Sequence, residues 1–451
     1  MTTLHARLAL LPDGWVRDVR ITIADGAIQS VEVNRQPEAG DERCGAIVPG
    51  MPNLHSHAFQ RGMAGLAEVS GPSADSFWTW RNVMYRFALT MDPDQMEAIA
   101  AQAYVEMLEA GFTRVGEFHY LHHDRDGSPY DDIGEMATRI AAASARSGIR
   151  LTLLPVFYAH ASFGDLPPLP EQRRFVSNLD GFVRLVEASK GAIAGLAGAV
   201  LGIAPHSLRA VTPDELTAVI DLAPTGPIHI HVAEQEKEVA DCLAWSGQRP
   251  VAWLLDHAPV DGRWCLIHAT HMTRDETTAL AASGAVAGLC PVTEANLGDG
   301  IPPAPGYVAA GGRCGIGTDS NVRIGVTDEL RQLEYSQRLQ RRARNVLAGA
   351  GGSTGRSLFD TARRGGNQAL GVNVDGIAVG APADLVALAT DSWAGDGGDA
   401  SLNGWIFARG VAVVDVWVAG RNVVHGGRHI VRDEVTARYR TAMCELLDEM
   451  P

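Results

Sequence analysis

The chain has 451 residues, 46% of them apolar, which suits one large catalytic domain, a smaller partner and a sizeable buried core. A formal net charge of -15 argues against a nucleic-acid-binding protein, which normally carries a basic stripe of Lys and Arg. No CxxC pair and no run of about 18 apolar residues is present, so a thiolate zinc site, a disulfide framework and a membrane span are not indicated. We expect a globular cytoplasmic protein.

Both ends of the chain have the sequence pattern of β-strands. Short runs alternate apolar and polar residues, and they are broken by turn signals such as Asp25-Gly26. The same alternating pattern occurs again near the C-terminus. We predict that residues 1–48 and 375–430 pair into one β-sandwich domain and that residues 431–451 form a C-terminal helix.

Residues 49–374 differ, because buried apolar runs alternate there with helical stretches, as in parallel sheets with crossover helices. One helix is indicated by Asp92-Pro93, an N-cap and first-position pair, and by Gly111 beyond its end. Eight apolar runs predict a (β/α)8 TIM-type barrel, whose active site forms at the C-terminal ends of the strands. The runs are 47–57, 112–118, 150–158, 199–208, 227–234, 264–270, 285–291 and 313–320.

Polar residues end several of these runs. The first run ends in His55-Ser56-His57, and residues two apart on a strand face the same side, so both imidazoles can point at one metal ion. Each such residue alone is more often structural. Together they would lie at one rim of the barrel and predict a metal site. The other groups are His231 and Glu234 on the fifth run, His268 on the sixth and Asp319 on the eighth.

The chain resembles the amidohydrolase superfamily in the segments PNLHSHAFQR, HVAEQ, LIHAT, GTDSN and GAPADLVAL. Many members hold two metals bridged by a carboxylated lysine of the fourth strand, but the two lysines here, Lys190 and Lys237, stand elsewhere. The resemblance therefore implies a single metal, as in the aminohydrolase branch. It implies zinc, or another divalent ion, held by His55, His57, His231 and Asp319, with His268 beside the activated water.

Glu234 follows the predicted ligand His231 by three residues, so the strand must end there and turn to bring the carboxylate over the metal. We predict that Glu234 accepts a proton from water and passes it to the leaving nitrogen. Asp319 would also hydrogen-bond the water, and His268 would stabilise the tetrahedral centre that develops. Glu234, His268 and Asp319 are therefore the predicted catalytic residues.

Within the superfamily the chain most resembles the formimidoylglutamate deiminases, through LHSHAFQRGMAGLAE, APHSLRAV and GEFHYLHH. The resemblance implies hydrolysis of N-formimino-L-glutamate to N-formyl-L-glutamate and ammonia in histidine degradation, by a homodimer. Such a small-molecule substrate carries two carboxylates, and arginine's planar fork suits them. The predicted substrate-binding residues are Arg209, His206, Gln60, Tyr120 and Arg81.

Two alternatives stay open. A deaminase of a purine, pyrimidine or related heterocycle would share the metal site, but its pocket would favour aromatic stacking over arginines. A barrel that has lost catalysis and serves as a scaffold would be expected to lose metal ligands, whereas all the predicted ligands and Glu234 are present here.

Overall fold

The structure, a computed structural model, describes residues 1–70, 76–374, 376–390 and 397–450. Its strands are β1 (Thr2–Leu11), β2 (Gly14–Ala24), β3 (Ala27–Glu32), β4 (Glu42–Pro49), β5 (Met51–Ser56), β6 (Phe112–His119), β7 (Arg150–Phe157), β8 (Val200–Leu201), β9 (Ala204–Pro205), β10 (Ile228–Val232), β11 (Trp264–His268), β12 (Val286–Leu289), β13 (Arg313–Ile316), β14 (Leu385–Ala389), β15 (Ala412–Val418), β16 (Arg421–His425) and β17 (Arg428–His429).

The helices are α1 (Phe77–Thr90), α2 (Pro93–Glu109), α3 (Glu135–Ser147), α4 (Leu179–Ile193), α5 (Pro213–Asp221), α6 (Glu236–Ser246), α7 (Pro250–His257), α8 (Arg274–Ser283), α9 (Pro291–Leu297), α10 (Ala304–Ala309), α11 (Val326–Arg341), α12 (Thr354–Ala369), α13 (Asp399–Phe407) and α14 (Arg432–Glu449). Short 3-10 helices span Ala58–Met63 and Pro170–Gln172.

The two ends of the chain meet in one eight-stranded sheet with the order β17-β16-β15-β14-β4-β1-β2-β3. The join is the antiparallel pair of β14 and β4. Asp25 and Gly26 connect β2 to β3 with positive φ at both residues, as a type I′ hairpin requires. A separate apolar cluster, which includes Leu4, Ile21 and Trp417, consists only of residues from this sheet and the segment leading into it. The sheet therefore has an apolar core of its own.

The predicted C-terminal helix is α14, which packs against α2. Two residues of these predicted ranges lie outside the described residues. They are residue 375, the first of the predicted segment 375–430, and residue 451, the last of the predicted helix 431–451. The division of the chain into domains at residues 48, 374 and 430 stays a prediction. Among the described helices, none has both the length and the apolar content needed to cross a bilayer.

The eight apolar runs correspond to β5 through β13, with the fourth run divided into β8 and β9. They pair in parallel as two arcs, β5-β6-β7-β8 with β9 beside β7, and β10-β11-β12-β13. Parallel bridges from Ile203 to Ile228 on one side and from Ser56 to Asp319 on the other close the ring. The predicted (β/α)8 barrel with a smaller β-domain formed from both termini is confirmed, and the strands of that smaller domain, predicted as a β-sandwich, form one eight-stranded sheet.

Helix α2 forms where its end signals predict it. The Asp92 carboxylate accepts a hydrogen bond from the backbone N–H of Gln95 at 2.8 Å, and the Gln95 side chain accepts one from the backbone N–H of Asp92 at 2.9 Å. This capping box, with Pro93 in the first turn, satisfies two N–H groups that a helix start leaves unpaired. The helix packs against the 3-10 helix that carries Gln60, and so it helps to place the first loop of the barrel rim.

Two adjacent glycines let α12 lie directly on the barrel strands. A Cβ atom on Gly365 would stand 2.1 Å from the backbone oxygen of Cys314 on β13. We expect Gly365→Ala to lower the free energy of unfolding by about 1–3 kcal/mol or more, because the helix must move off the strand. The check is the urea midpoint against Gly191→Ala on α4, where a Cβ meets nothing within 4 Å. Equal midpoints for the two variants would contradict the packing argument.

Candidate active site

Three predicted histidines meet at the C-terminal rim of the barrel. His55 is the next-to-last residue of β5 and His57 follows the strand, and their ring centroids are 4.7 Å apart. His231, near the end of β10, places its Nε2 atom 3.1 Å from Nε2 of His55. The HxH spacing therefore brings both imidazoles to the side of the strand that faces His231.

Asp319 is joined to this cluster through the backbone. Its N–H donates to the carbonyl of His55 at 3.0 Å, and its carbonyl accepts from the N–H of His57 at 2.9 Å. The carboxylate oxygen Oδ1 consequently lies 3.4 Å from Nε2 of His55 and 3.2 Å from Nε2 of His57. Asp319 has a φ of 47°, and the Asn321 amide supports this strained turn by donating to the carbonyls of His57 and Asp319 at 3.1 Å.

The four groups suit a metal ion in both geometry and protonation. One ligand atom from each of His55, His57, His231 and Asp319 lies within 4.8 Å of the other three. Nδ1 of His57 donates to the Phe118 carbonyl at 3.0 Å, and Nδ1 of His231 donates to a backbone carbonyl at 3.1 Å. In a neutral imidazole with its proton on Nδ1, the lone pair is on Nε2, which here points into the cluster.

Burial and mutual contact shift the pKa values of these groups in the direction that metal binding needs. Burial lowers the pKa of His55 to about 3 and lowers the pKa values of His57 and His231 as well, so all three rings are neutral. Burial opposes ionisation of Asp319, but the hydrogen bond from His55 and the nearby imidazoles hold its pKa below the usual value. Neutral imidazoles and an ionised carboxylate are ligand forms that zinc accepts.

Glu234 reaches the rim because β10 ends at Val232 and the chain turns sharply at Ala233, whose φ is 52°. The Glu238 carboxylate holds this turn by accepting the N–H groups of Ala233 at 3.0 Å and Glu234 at 3.1 Å. Burial raises the pKa of the Glu234 carboxyl to about 7, against the opposing charges of His268 and Arg209. Such a carboxyl can both take up and release a proton near neutral pH.

His268 lies between three acidic residues. Its Nε2 atom is 3.7 Å from Glu234 Oε1 and 3.8 Å from Asp319 Oδ2, and its Nδ1 atom is 3.4 Å from Glu294 Oε1. Burial lowers its pKa, but the carboxylates of Glu234, Glu294 and Asp319 outweigh burial and raise the pKa to about 10. The ring therefore presents a donor beside the cluster formed by the predicted ligands.

A cavity of about 590 Å³, including its open mouth, adjoins the cluster. Its lining contains every predicted substrate-binding residue, namely Gln60, Arg81, Tyr120, His206 and Arg209. Gln60 and Tyr120 are already paired, since Nε2 of Gln60 donates to the Tyr120 hydroxyl at 2.8 Å, and that hydroxyl faces the sulfur of Met84 at 3.8 Å. Nδ1 of His206 lies 3.1 Å from the hydroxyl of Ser207.

The two arginines of the cavity have no ion pair within the part of the chain that is described. Arg209 is 8% exposed, and its Nε atom is buried without a hydrogen-bond partner. Arg81 also has a buried Nε without a partner, and its guanidinium lies 4.6 Å from the ring centroid of Trp78. An anionic ligand in the cavity would find hydrogen-bond donors in both guanidinium groups.

Both lysines lie away from the cavity, as the single-metal prediction requires. Lys190 is on α4 near Glu187, and Lys237 is on α6 with its Nζ atom 2.6 Å from Asp241. Neither lysine lines the cavity.

Several residues that support the site were not among those predicted from the sequence. The buried Glu117 carboxylate, behind the HxH pair, accepts from the N–H of Ala58 at 2.7 Å and the hydroxyl of Tyr104 at 3.1 Å. The Asn53 amide pairs with both the hydroxyl and the N–H of Thr318, at 2.7 and 3.0 Å. The available signal was a polar residue within a strand that is otherwise apolar. Tyr85, Tyr158 and Phe175 also line the cavity, but no sequence pattern of this kind marks them.

Comparisons with known proteins agree with this architecture. The model of the Amidohydrolase family matches residues 46–423, and the model described as Formimidoylglutamate deiminase HutF, N-terminal domain, matches residues 1–45. The chain is 51% identical to the formimidoylglutamate deiminase of Pseudomonas aeruginosa, over 99% of this chain and 100% of that protein. It is 28% identical to a 5-methylthioadenosine/S-adenosylhomocysteine deaminase of Halobacterium salinarum, over 85% of this chain and 83% of that one.

Solved structures show the same fold. The crystal structure of an amidohydrolase from Brucella melitensis has a TM-score of 0.98 and 61% identity, and the match covers 99% of this chain and 100% of that one. An adenosine deaminase from Xanthomonas campestris with bound zinc has a TM-score of 0.82 at 23% identity, with 99% and 98% covered, and shares the fold. The chain is therefore a member of the amidohydrolase family and, within it, of the family of formimidoylglutamate deiminases.

Proposed function

We propose that the protein hydrolyses N-formimino-L-glutamate to N-formyl-L-glutamate and ammonia, a step of histidine degradation. The observation that carries the proposal is one cavity that joins the His/Asp cluster to Arg209 and Arg81, which have no ion pairs within the described part of the chain. The electrophilic formimino carbon suits the cluster, and the two carboxylates suit the arginines. The 51% identity with a formimidoylglutamate deiminase supports the same substrate.

The proposed metal ligands are His55, His57, His231 and Asp319. Three imidazoles and one carboxylate form a ligand set typical of zinc, although other divalent ions accept it. When bound, zinc lowers the pKa of water from about 15.7 toward about 7 and so supplies a nucleophile at neutral pH. The Nδ1 hydrogen bonds of His57 and His231 hold their rings in the tautomer that this role needs.

The remaining rim residues have proposed roles as proton carriers and donors. Glu234 accepts the proton of the attacking water and returns it to the leaving nitrogen, which departs as ammonia. His268, held by Glu294 on its other ring nitrogen, donates to the tetrahedral centre as negative charge develops on it. Asp319 accepts a hydrogen bond from the water and so helps to orient it.

At the other end of the substrate, Arg209 binds one carboxylate, and His206 provides a second donor beside it. Arg81 approaches the other carboxylate from α1. Gln60 and Tyr120, which are joined by a hydrogen bond, face the remaining oxygens or the formimino nitrogen. Because the glutamate part does not react, we expect these contacts to act chiefly on substrate binding.

The proposal is tested by measuring ammonia release from a panel of compounds. We expect release from N-formimino-L-glutamate, weaker release from its aspartate analogue, and none from guanine, cytosine or adenosine. Release from a heterocycle alone would replace the proposed substrate by a nucleobase or nucleoside. Absence of release from the whole panel by metal-replete protein would favour a barrel that serves as a scaffold.

Removal of the metal is expected to abolish ammonia release and to lower thermal stability, because three imidazoles and a carboxylate lose their common partner. The measurements are metal analysis, activity and melting temperature before dialysis against a chelator, afterwards, and after zinc is returned. We expect about one zinc per chain in the active protein. Full activity in metal-free protein would contradict the assignment of the ligands.

We further propose that the enzyme works in the cytoplasm as a homodimer. All six cysteines are free, as suits a reducing compartment, and no ligand of the site needs a thiolate. Light scattering on the purified protein measures the oligomeric state. Fractionation of cells measures the location.

A further inference from the structure

A pair of tyrosines on the wall of the cavity has no place in the roles proposed above. Tyr85 on α1 and Tyr158 after β7 both line the cavity with Arg209 and Arg81. Each tyrosine is 5% exposed. Their hydroxyl groups share one neighbour, Gln172, which is fully buried at 0% exposure.

The orientation of the Gln172 amide follows from a backbone contact. The N–H of Leu169 can only donate, and it donates to Oε1 of Gln172 at 2.8 Å. Nε2 of Gln172 must therefore face the tyrosines, where it donates to the Tyr158 hydroxyl at 2.7 Å and to the Tyr85 hydroxyl at 3.1 Å. Both amide hydrogens are used, and both phenol oxygens act as acceptors.

This arrangement leaves at least one hydroxyl hydrogen of the Tyr85 and Tyr158 pair for another partner. A phenol that accepts from Gln172 still has its own O–H to donate, and no protein acceptor outside the pair faces either hydroxyl in the described residues. If one hydroxyl donates to the other, the second O–H still needs an acceptor. Burial raises the pKa of Tyr158, which keeps this hydroxyl protonated.

The segment that carries Gln172 is held firmly against α1. The buried Arg174 guanidinium donates to the carbonyls of Ala88 and Met91 at the end of that helix. The ring centroid of Phe175 lies 6.0 Å from that of Tyr85 and 6.1 Å from that of Tyr158. The two hydroxyls are therefore positioned before any ligand arrives, which lowers the entropy cost of binding.

We propose that the Tyr85–Tyr158 pair donates a hydrogen bond to a substrate carboxylate beside the cavity arginines and that Gln172 is the positioning residue that sets this direction. The resulting subsite consists of donors only. It accepts an ionised carboxylate, whose oxygens only accept, and it rejects the corresponding amide, whose NH2 group would face other donors. This inference rests on the proposed function and adds a basis for choosing a dicarboxylate over its monoamides.

The test compares kcat/KM for N-formimino-L-glutamate with that for its two monoamides, N-formimino-L-glutamine and N-formimino-L-isoglutamine. In the Tyr85→Phe/Tyr158→Phe double variant we expect about a tenfold or larger fall with the dicarboxylate, mainly through KM, because hydrogen bonds to a charged group are lost. The preference over one of the monoamides should fall by a similar factor. Gln172→Glu should also reduce that preference, since its carboxylate would accept both hydroxyl hydrogens.

Tyr307→Phe is the matched control, because the hydroxyl of Tyr307 donates to the Ala285 carbonyl at 2.7 Å and does not line the cavity. This variant also loses one buried hydroxyl, but it should keep the preference for the dicarboxylate. An unchanged preference in the double variant, in an enzyme whose parent releases ammonia from N-formimino-L-glutamate, overturns the inference alone. Absence of release by the parent overturns the proposed function and the inference together.

Discussion

Replacement of Glu234 by glutamine is expected to lower kcat by about 10²- to 10⁴-fold, which is the usual contribution of a positioned general acid–base group. The amide has nearly the same shape, but it cannot accept the proton of water or deliver one to the leaving nitrogen. Because Glu234 is outside the proposed ligand set, metal content should match that of the parent. Steady-state ammonia release and metal analysis of the same sample measure both quantities.

Glu276→Gln provides the control for loss of a buried carboxylate elsewhere. Glu276 is 5% exposed and pairs with Arg249 on the outside of the barrel, so its replacement should cost stability and leave turnover in place. Near-normal kcat in Glu234→Gln would show that another group moves the proton. Loss of metal from that variant would instead assign Glu234 to the ligand set.

The pH profile offers an independent check on Glu234. Since burial raises its pKa to about 7 and the ionised form is the one that accepts a proton, kcat/KM should fall as the pH drops through this region. The residual activity of Glu234→Gln should lack this acid limb, because the amide does not titrate. The same limb in both proteins would assign it to a different group.

Replacement of Arg209 by alanine is expected to lower kcat/KM for N-formimino-L-glutamate by about 30-fold or more, mainly through KM. Removing one partner of a buried charge pair costs about 2–5 kcal/mol, because the substrate carboxylate would then be buried without its cation. Arg209→Lys should recover only part of the loss, since an ammonium lacks the planar fork that matches a carboxylate. Steady-state kinetics with the three proteins make the comparison.

Arg114→Ala is the matched control for Arg209→Ala. Arg114 is 5% exposed near the N-terminal end of β6, where it donates to the carbonyl of Gly198 at 2.9 Å, and it does not line the active-site cavity. This change should lower stability while KM stays near that of the parent. An unchanged kcat/KM in Arg209→Ala would reject the proposed carboxylate contact.

Much of the architecture could be predicted from the sequence because its causes are local or periodic. Eight apolar runs separated by helical stretches suffice to predict a barrel, since parallel strands need crossover helices and coverage on both faces. The same rule predicted that His55, His231 and Asp319, far apart in the chain, meet at one rim, because parallel strands end on the same side. The N-cap at Asp92 and the turn at Asp25 were equally visible in short segments.

Only the tertiary structure decided which atoms of the site face one another. The left-handed turn at Asp319 depends on hydrogen bonds to His55 and His57 across the rim, and the carboxylate of Glu294 reaches His268 from a different strand connection. The direction of the Gln172 amide depends on a single N–H within its own loop. The groups to which this amide donates are two tyrosines from other parts of the chain. Residue types and their periodicity thus predicted the barrel and the polar residues that meet at its rim, whereas the ligand set was implied by the family resemblance. Protonation, tautomer and hydrogen-bond direction arise from contacts between distant segments, and no local pattern records them.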